Sequence, residues 1–221
     1  MHNLSALKGV DLIRFVYYNF LCPKVKRLGK GYLVPYRNTV IDMAEDTELT
    51  LHDGHLFLND NKPRGAHCEC YLVMKKGARM EVKGQLIVCT RVTLEVQEKG
   101  KLTIGSGFFN CDSVINVADS ITLGDEVLLA RGVRIYDSDH HKVLDEKGNV
   151  ANPPRPVIIG DHVWLAQNCI ILKGCKIGSG AVLSAGSVAS GRLKAGYMAQ
   201  GNPARSFWPI DWNEKNNKIM E

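Results

Sequence analysis

The stretch VIIGDHVWLAQNCIILKGCKIGSGAVLSAGSVA, Val157 to Ala189, carries an aliphatic residue at every sixth position: Ile159, Leu165, Ile171, Ile177 and Leu183. A helix repeats every 3.6 residues and a strand every two, so neither produces a strict six. The period fits a parallel β-helix in which each hexapeptide forms one flat side of a triangular coil and three hexapeptides close a turn. The fold class predicted is therefore all-β. Four residues after each aliphatic stand Val163, Cys169, Cys175, Ala181 and Ser187, small or medium-sized as a position beside a crowded axis requires. One residue after stand Gly160, Ala166, Gly178 and Ser184, which suits tight turns, and Leu172 breaks that series.

Working backward, Leu123, Leu129 and Ile135 hold the same phase with Val127 and Val133 between them, and the phase resumes at Ile159. The polar, Pro-rich segment 136–156 reads as a loop extruded from the coil. Gly77 to Leu123 alternates β-branched and polar residues in a looser register, and coils are expected from about Gly54. The chain thus divides into an N-terminal cap over 1–53, a β-helix over 54–207 with its loop at 136–156, and a tail over 208–221 whose Trp208 and Trp212 pack against the last coil.

Bulk properties narrow the function. The 221 residues are 45% hydrophobic, enough for a buried core, and the net charge of +5 suits an anionic ligand without forming the basic stripe of a nucleic-acid-binding chain. Seven cysteines, odd in number and without a CxxC pair, read as reduced buried thiols and not as a zinc site. The apolar run Val10 to Cys22 carries Asp11 and Arg14, is too short to span a membrane, and precedes no small-residue cleavage site, so a cytoplasmic protein is expected. That run reads as an amphipathic helix packed on the protein's own body, with a partner or a peripheral membrane contact as the alternative.

The titratable chemistry concentrates in IYDSDHHKV, Ile135 to Val143, at the base of the loop. Imidazole titrates near neutrality, which suits a general base. His140 and His141 are the candidates, and adjacent residues on an extended chain point opposite ways, so one of them is expected to face a groove. His162 reads as structural, and His2, His52, His55 and His67 receive no role.

The repeats, together with GDHVWLAQNCIILKG, the SAGSV at Ser184 to Val188 and the terminal AQGNPARSF, resemble the left-handed β-helix acyltransferases, among them galactoside, maltose and capsular polysaccharide O-acetyltransferases. The likeness covers roughly residues 100 to 207. It supplies the left hand, which a period of six does not fix and which opposes the usual right-handed crossover. It implies an acetyl-CoA-dependent O-acetyltransferase without a metal, acting on a hydroxyl of a sugar in a surface polysaccharide or its precursor. It also implies a homotrimer with each active site in a groove between prisms. The galactoside pattern selects His140 as the base, whereas the Asp-x-His of capsule-type relatives selects His141, oriented by Asp139. Asn110 matches an asparagine that positions the acceptor hydroxyl, while the family's aspartate eight residues later is Ala118 here, so acceptor contacts at that point differ. Trp164 corresponds to a wall of the acceptor pocket, and a backbone N–H near Ala166 or Gln167 to the oxyanion donor. Ser184, Ala185 and Gly186 would let the pantetheine arm approach the coil, and Lys173, Lys194 and Arg205 would meet the CoA phosphates.

Three rivals remain. The γ-class carbonic anhydrases share the fold but need a His-x4-His pair, which is absent. An acetyltransferase for an amino sugar, an antibiotic or serine is a second, and a non-catalytic scaffold a third.

Overall fold

The computed structural model describes residues 9–60 and 65–212. Over these the chain winds into a triangular, left-handed parallel β-helix whose sides are three sheets. The first has eight strands, from Val25–Arg27 to Arg192–Leu193; the second nine, from Leu33–Pro35 to Ala204–Pro209; the third seven, from Thr39–Met43 to Val188–Ala189.

Coil stacking follows from the period of six. Ile159 pairs with Ile177, Leu165 with Leu183, and Ile171 with Ala189, so inward side chains of successive coils lie one above another. The five diagnostic aliphatics are at most 3% exposed. Each such burial is worth about 1.5–3 kcal/mol, against helix or strand propensities well below that, which is why packing and not local preference decides the fold. Val163, Cys169, Cys175, Ala181 and Ser187 are likewise buried.

The corners refine the sequence reading. Left-handed backbone falls three residues after the aliphatic, at Glu126, Gly132, His162, Asn168, Gly174, Gly180 and Gly186. Position one after the aliphatic is small for another reason: a Cβ on Gly160 would stand 2.5 Å from Ser179 Oγ on the next coil. Coil-to-coil approach, not turn conformation, restricts that site.

The boundaries differ from expectation at both ends. Strands begin at Val25, so the first coil lies inside the region expected as a cap, and the cap is reduced to the segment that precedes it. The early coils escaped the period because they are long: Leu51 pairs with Val82 and Leu58 with Val88, about thirty residues on, where later coils need eighteen. The cap is an α-helical turn, Leu12–Val16, running into a π-helical turn, Tyr17–Leu21. Its Asn19 is buried and acts as a strand substitute: Nδ2 donates to Leu33 O at 2.8 Å and Oδ1 accepts Leu33 N–H at 2.9 Å.

At the other end, the last strand crosses the expected tail boundary at 208 and pairs antiparallel with Tyr197–Gly201. Trp208 on this strand is half-exposed. Trp212 does not rest on the last coil: the chain turns back along the corner edge, Ile210 N–H bonding to Gly196 O, until the indole stacks on His162 at 3.9 Å. The rest of the tail, from 213, lies outside the described residues.

One lateral face is apolar throughout. Outward residues of the second sheet stand in register as Val34, Phe57, Ile87, Phe108, Leu128, Trp164, Val182, Met198 and Trp208. The corresponding row on the first sheet is Lys26, Thr50, Glu81, Thr103, Thr122, Ile158, Lys176 and Arg192. Two sides of one prism therefore present opposite chemistry. No helix among the described residues is long and apolar enough to cross a membrane.

Candidate active site

The loop leaves the third sheet after Tyr136 and rejoins the first at Val157. Leu123 pairs with Ile159 across the interruption, so the coil resumes in phase. Asp137 anchors the exit. Its carboxylate is fully buried and accepts the backbone N–H of Ala118 at 2.7 Å and of Asp119 at 2.8 Å, two donors of the coil beneath, while its carbonyl receives Arg155 N–H at 2.9 Å.

Asn152 knots the loop further out. Its Nδ2 donates to Asp139 Oδ2 and to His141 O, both at 2.8 Å, and its Oδ1 accepts Val143 N–H at 2.7 Å. Asp139 also accepts a hydrogen bond from the ammonium of Lys173, which donates in addition to Asn152 O at 3.1 Å. Lys173, chiefly, and then Asn152 hold the Asp139 carboxyl below the usual aspartate range. Two expectations change here. Asp139 is engaged with Lys173 and Asn152 and not with a histidine ring, and Lys173 sits under the loop as a tie, its side chain only 12% exposed, instead of reaching toward a coenzyme phosphate.

Both histidine side chains are exposed and line a cavity of about 420 Å³ together with Gln97, Ala118, Asn152 and Pro153. His140 has φ +58°, five residues after Ile135 and so out of phase with the coil corners, an off-corner placement it shares among non-glycine residues with Asn59. A non-glycine residue in that region is uncommon, and such conformations concentrate at functional sites. Ser138 Oγ accepts His140 N–H at 3.0 Å, and the ring meets Tyr136 edge-on with centroids 5.9 Å apart.

The remaining candidates lie on other edges. Asn110 follows a strand of the second sheet, and its Oδ1 accepts Cys111 N–H at 2.8 Å, so this oxygen closes a coil turn. Ala166, Gln167, Ser184, Ala185 and Gly186 occupy the same second-to-third edge on higher coils. Ala166 N–H donates to Leu183 O at 2.9 Å and is committed to the coil; the N–H groups of Gln167 and Ala185 enter no such ladder among the described residues. Trp164 stands on the apolar face, 40% exposed, with Trp212 at 6.1 Å between ring centroids. Lys194 N–H bonds to Ser206 Oγ and its ammonium lies over the Tyr197 ring, while Arg205 pairs with Gln200 in the C-terminal hairpin. One chain thus gathers His140, His141, Asp139 and Lys173 at one edge, and leaves Asn110, Trp164 and the small-residue corners on another edge and face.

His162 is engaged in packing contacts: its Nδ1 stands 3.2 Å from Glu126 Oε2 and its ring carries Trp212. Asp137 and Asn152 were not assigned from sequence, and Trp212 was assigned to the last coil instead of to His162. Asp137 lies in the quoted stretch beside the histidines, but its burial depends on Ala118, which nothing in the local sequence indicates. Among the described residues no group of three His, Cys, Asp or Glu side chains is placed to hold a metal.

Known proteins resemble this chain in sequence and in fold. Galactoside O-acetyltransferase of Escherichia coli (strain K12) is 30% identical over 116 residues, 51% of this chain and 56% of that one. Polysialic acid O-acetyltransferase of Neisseria meningitidis is 34% identical over 96 residues, 42% of this chain and 43% of that one. The chain therefore spans about half the length of these curated relatives. In fold, the crystal structure of the polySia specific acetyltransferase NeuO matches with a TM-score of 0.61 at 21% identity, over 89% of this chain and 84% of that one. The stretch that decides the fold, residues 156–191, matches the family described as bacterial transferase hexapeptide (six repeats).

Proposed function

We propose that the protein is an acetyl-CoA-dependent O-acetyltransferase for a sugar hydroxyl, in a surface polysaccharide or its precursor, with His140 as the general base. The observation that carries this reading is a pair of loop-borne imidazoles at the lip of a cavity on a hexapeptide prism. Two relatives named as O-acetyltransferases of a galactoside and of polysialic acid support the substrate class. Between the two histidines, the left-handed backbone at His140 favours it, and the engagement of Asp139 with Lys173 and Asn152 removes the orienting partner that spoke for His141.

In this mechanism the neutral imidazole takes the acceptor's hydroxyl proton while the oxygen attacks the thioester carbonyl. The carbonyl oxygen gains charge as the carbon becomes tetrahedral, and the uncommitted N–H of Gln167 is the donor that meets it. Collapse breaks the carbon–sulfur bond; the CoA thiolate leaves, the imidazolium returns its proton to the sulfur, and the acetyl ester remains on the sugar.

Such a site needs a second copy. The histidine edge and the Trp164–Gln167 side lie apart in one chain, and the apolar face that carries Trp164 is suited to burial against a neighbour. The proposal is a homotrimer in which the loop of one prism completes the site on the next. Thiol release from acetyl-CoA with a panel of sugars tests the chemistry. His140→Ala should reduce the rate by about 10²–10⁴-fold with His141→Ala close to wild type, and equal activity of both variants would refute the assignment.

A further inference from the structure

The cap helix is amphipathic the wrong way round for a surface helix. Leu12 and Ile13, Val16 and Tyr17, Phe20 and Leu21 recur at a spacing of four, and all six are exposed, from 48% at Tyr17 to 85% at Ile13. The side turned to the prism carries Tyr18, the strand-mimicking Asn19 and buried Cys22. Leu28, 69% exposed, extends the apolar surface onto the first corner. Nothing in the catalytic reading uses this surface.

Cations outnumber carboxylates along this segment. Residues 9–31 hold Arg14, Lys24, Lys26, Arg27 and Lys30 against the single carboxylate of Asp11. Lys26 pairs with Glu48, and Arg14 leans on Asp11 at 3.8 Å. Lys24 and Arg27 donate to the backbone carbonyls of Met43 and Gly31, which do not cancel their charge, and Lys30 makes no ion pair among the described residues. Arg27 lies 5.4 Å from the Phe20 ring centroid and 3.9 Å from that of Tyr32, so a cation adjoins the exposed aromatic of the helix.

Exposed aliphatic and aromatic side chains bordered by lysine and arginine match a bilayer interface, where apolar side chains enter the acyl boundary and cations meet anionic headgroups. We propose that this end of the prism docks on an anionic lipid surface through Leu12, Ile13, Val16, Phe20 and Leu21, with Lys24, Arg27 and Lys30 facing the headgroups. Cations exceed carboxylates along residues 9–31, with Glu48 on Lys26 and Asp53 at the Lys30 backbone as the carboxylates of neighbouring coils, and an anionic bilayer complements that excess.

The full chain is floated with phosphatidylcholine vesicles and with vesicles half phosphatidylglycerol. Binding is expected only to the anionic set and falls with salt over the Debye range. Ile13→Glu combined with Leu21→Glu, two sites exposed enough to keep the fold by circular dichroism, should lower partitioning at least ~10-fold and leave acetyl transfer to a soluble sugar unchanged. Absence of anionic binding, or equal binding by the double variant, overturns the proposal. So does a fall in sedimentation mass of the double variant without vesicle binding by the wild type, which assigns the patch to contacts between copies. Loss of transferase activity in the wild type leaves this test intact, since flotation reads lipid binding alone.

Discussion

The carboxylate of Asp137 reaches from the loop to the coil below and accepts the backbone N–H of Ala118 at 2.7 Å. Ala118 also lines the histidine cavity, so the same peptide forms part of its floor and holds its rim. Asp137→Ala leaves two buried N–H groups without their acceptor and is expected to destabilise the protein by about 1–3 kcal/mol or more, with Asp137→Asn between the two. Urea denaturation measures the loss, and a large fall in kcat in Asp137→Asn at near-native stability ties the anchor to histidine placement.

The Asp139–Lys173 tie predicts a pH response of the loop. Because the folded carboxyl titrates below its unfolded value, the tie is fully present above the ordinary aspartate pKa of about 3.9 and is lost as pH falls through the lower folded value. The side-chain amide resonances of Asn152 should therefore hold steady from neutrality and move only in acid. Lys173→Ala should raise the midpoint toward the ordinary value, and an unchanged midpoint counts against the tie.

Leu128→Lys tests the lateral association. Leu128 sits midway along the apolar row, between Phe108 and Trp164, and points away from the core. A buried ammonium there is strongly unfavourable at an interface and harmless on a free surface. Analytical ultracentrifugation should report a fall from trimer to monomer mass with secondary structure preserved; a monomeric wild type rejects the assembly.

Within the stack, Leu165→Ala removes a side chain held between Leu129 and Leu183 and should cost about 2–5 kcal/mol. Gly160→Ala should also destabilise, since its Cβ meets Ser179 backbone N at 2.6 Å, whereas an added Cβ at Gly191 meets nothing within 4 Å. Thermal melts of the three variants should order Gly191→Ala as the mildest.

How much of this was readable beforehand follows from where the information sits. Ile159 to Leu183 announced the coil because eighteen-residue turns repeat without insertion, so geometry and sequence share one period. The strands at Val25 and Leu33 were silent because excursions between their coils erase the phase while leaving the pairing intact. His140 and His141 were readable as titratable groups at an interruption. Asp137 and Asn152 were not, since their roles are set by partners across the loop or on another coil. The apolar row was hidden most deeply: it contributes one residue per coil, and only stacking brings Phe108, Leu128 and Trp164 into line.

A prism whose coils hydrogen-bond along its axis has two raw ends, either of which invites another molecule to continue it. Here Asn19 imitates a strand at one terminus, while at the other Ala204–Pro209 reverses direction and lies against Tyr197–Gly201. The second sheet therefore offers no parallel strand at that end, while the first and third finish on the parallel strands Arg192–Leu193 and Val188–Ala189. On this one of the prism's three sides, a further copy stacking head to tail would meet a strand of opposed polarity instead of a parallel template.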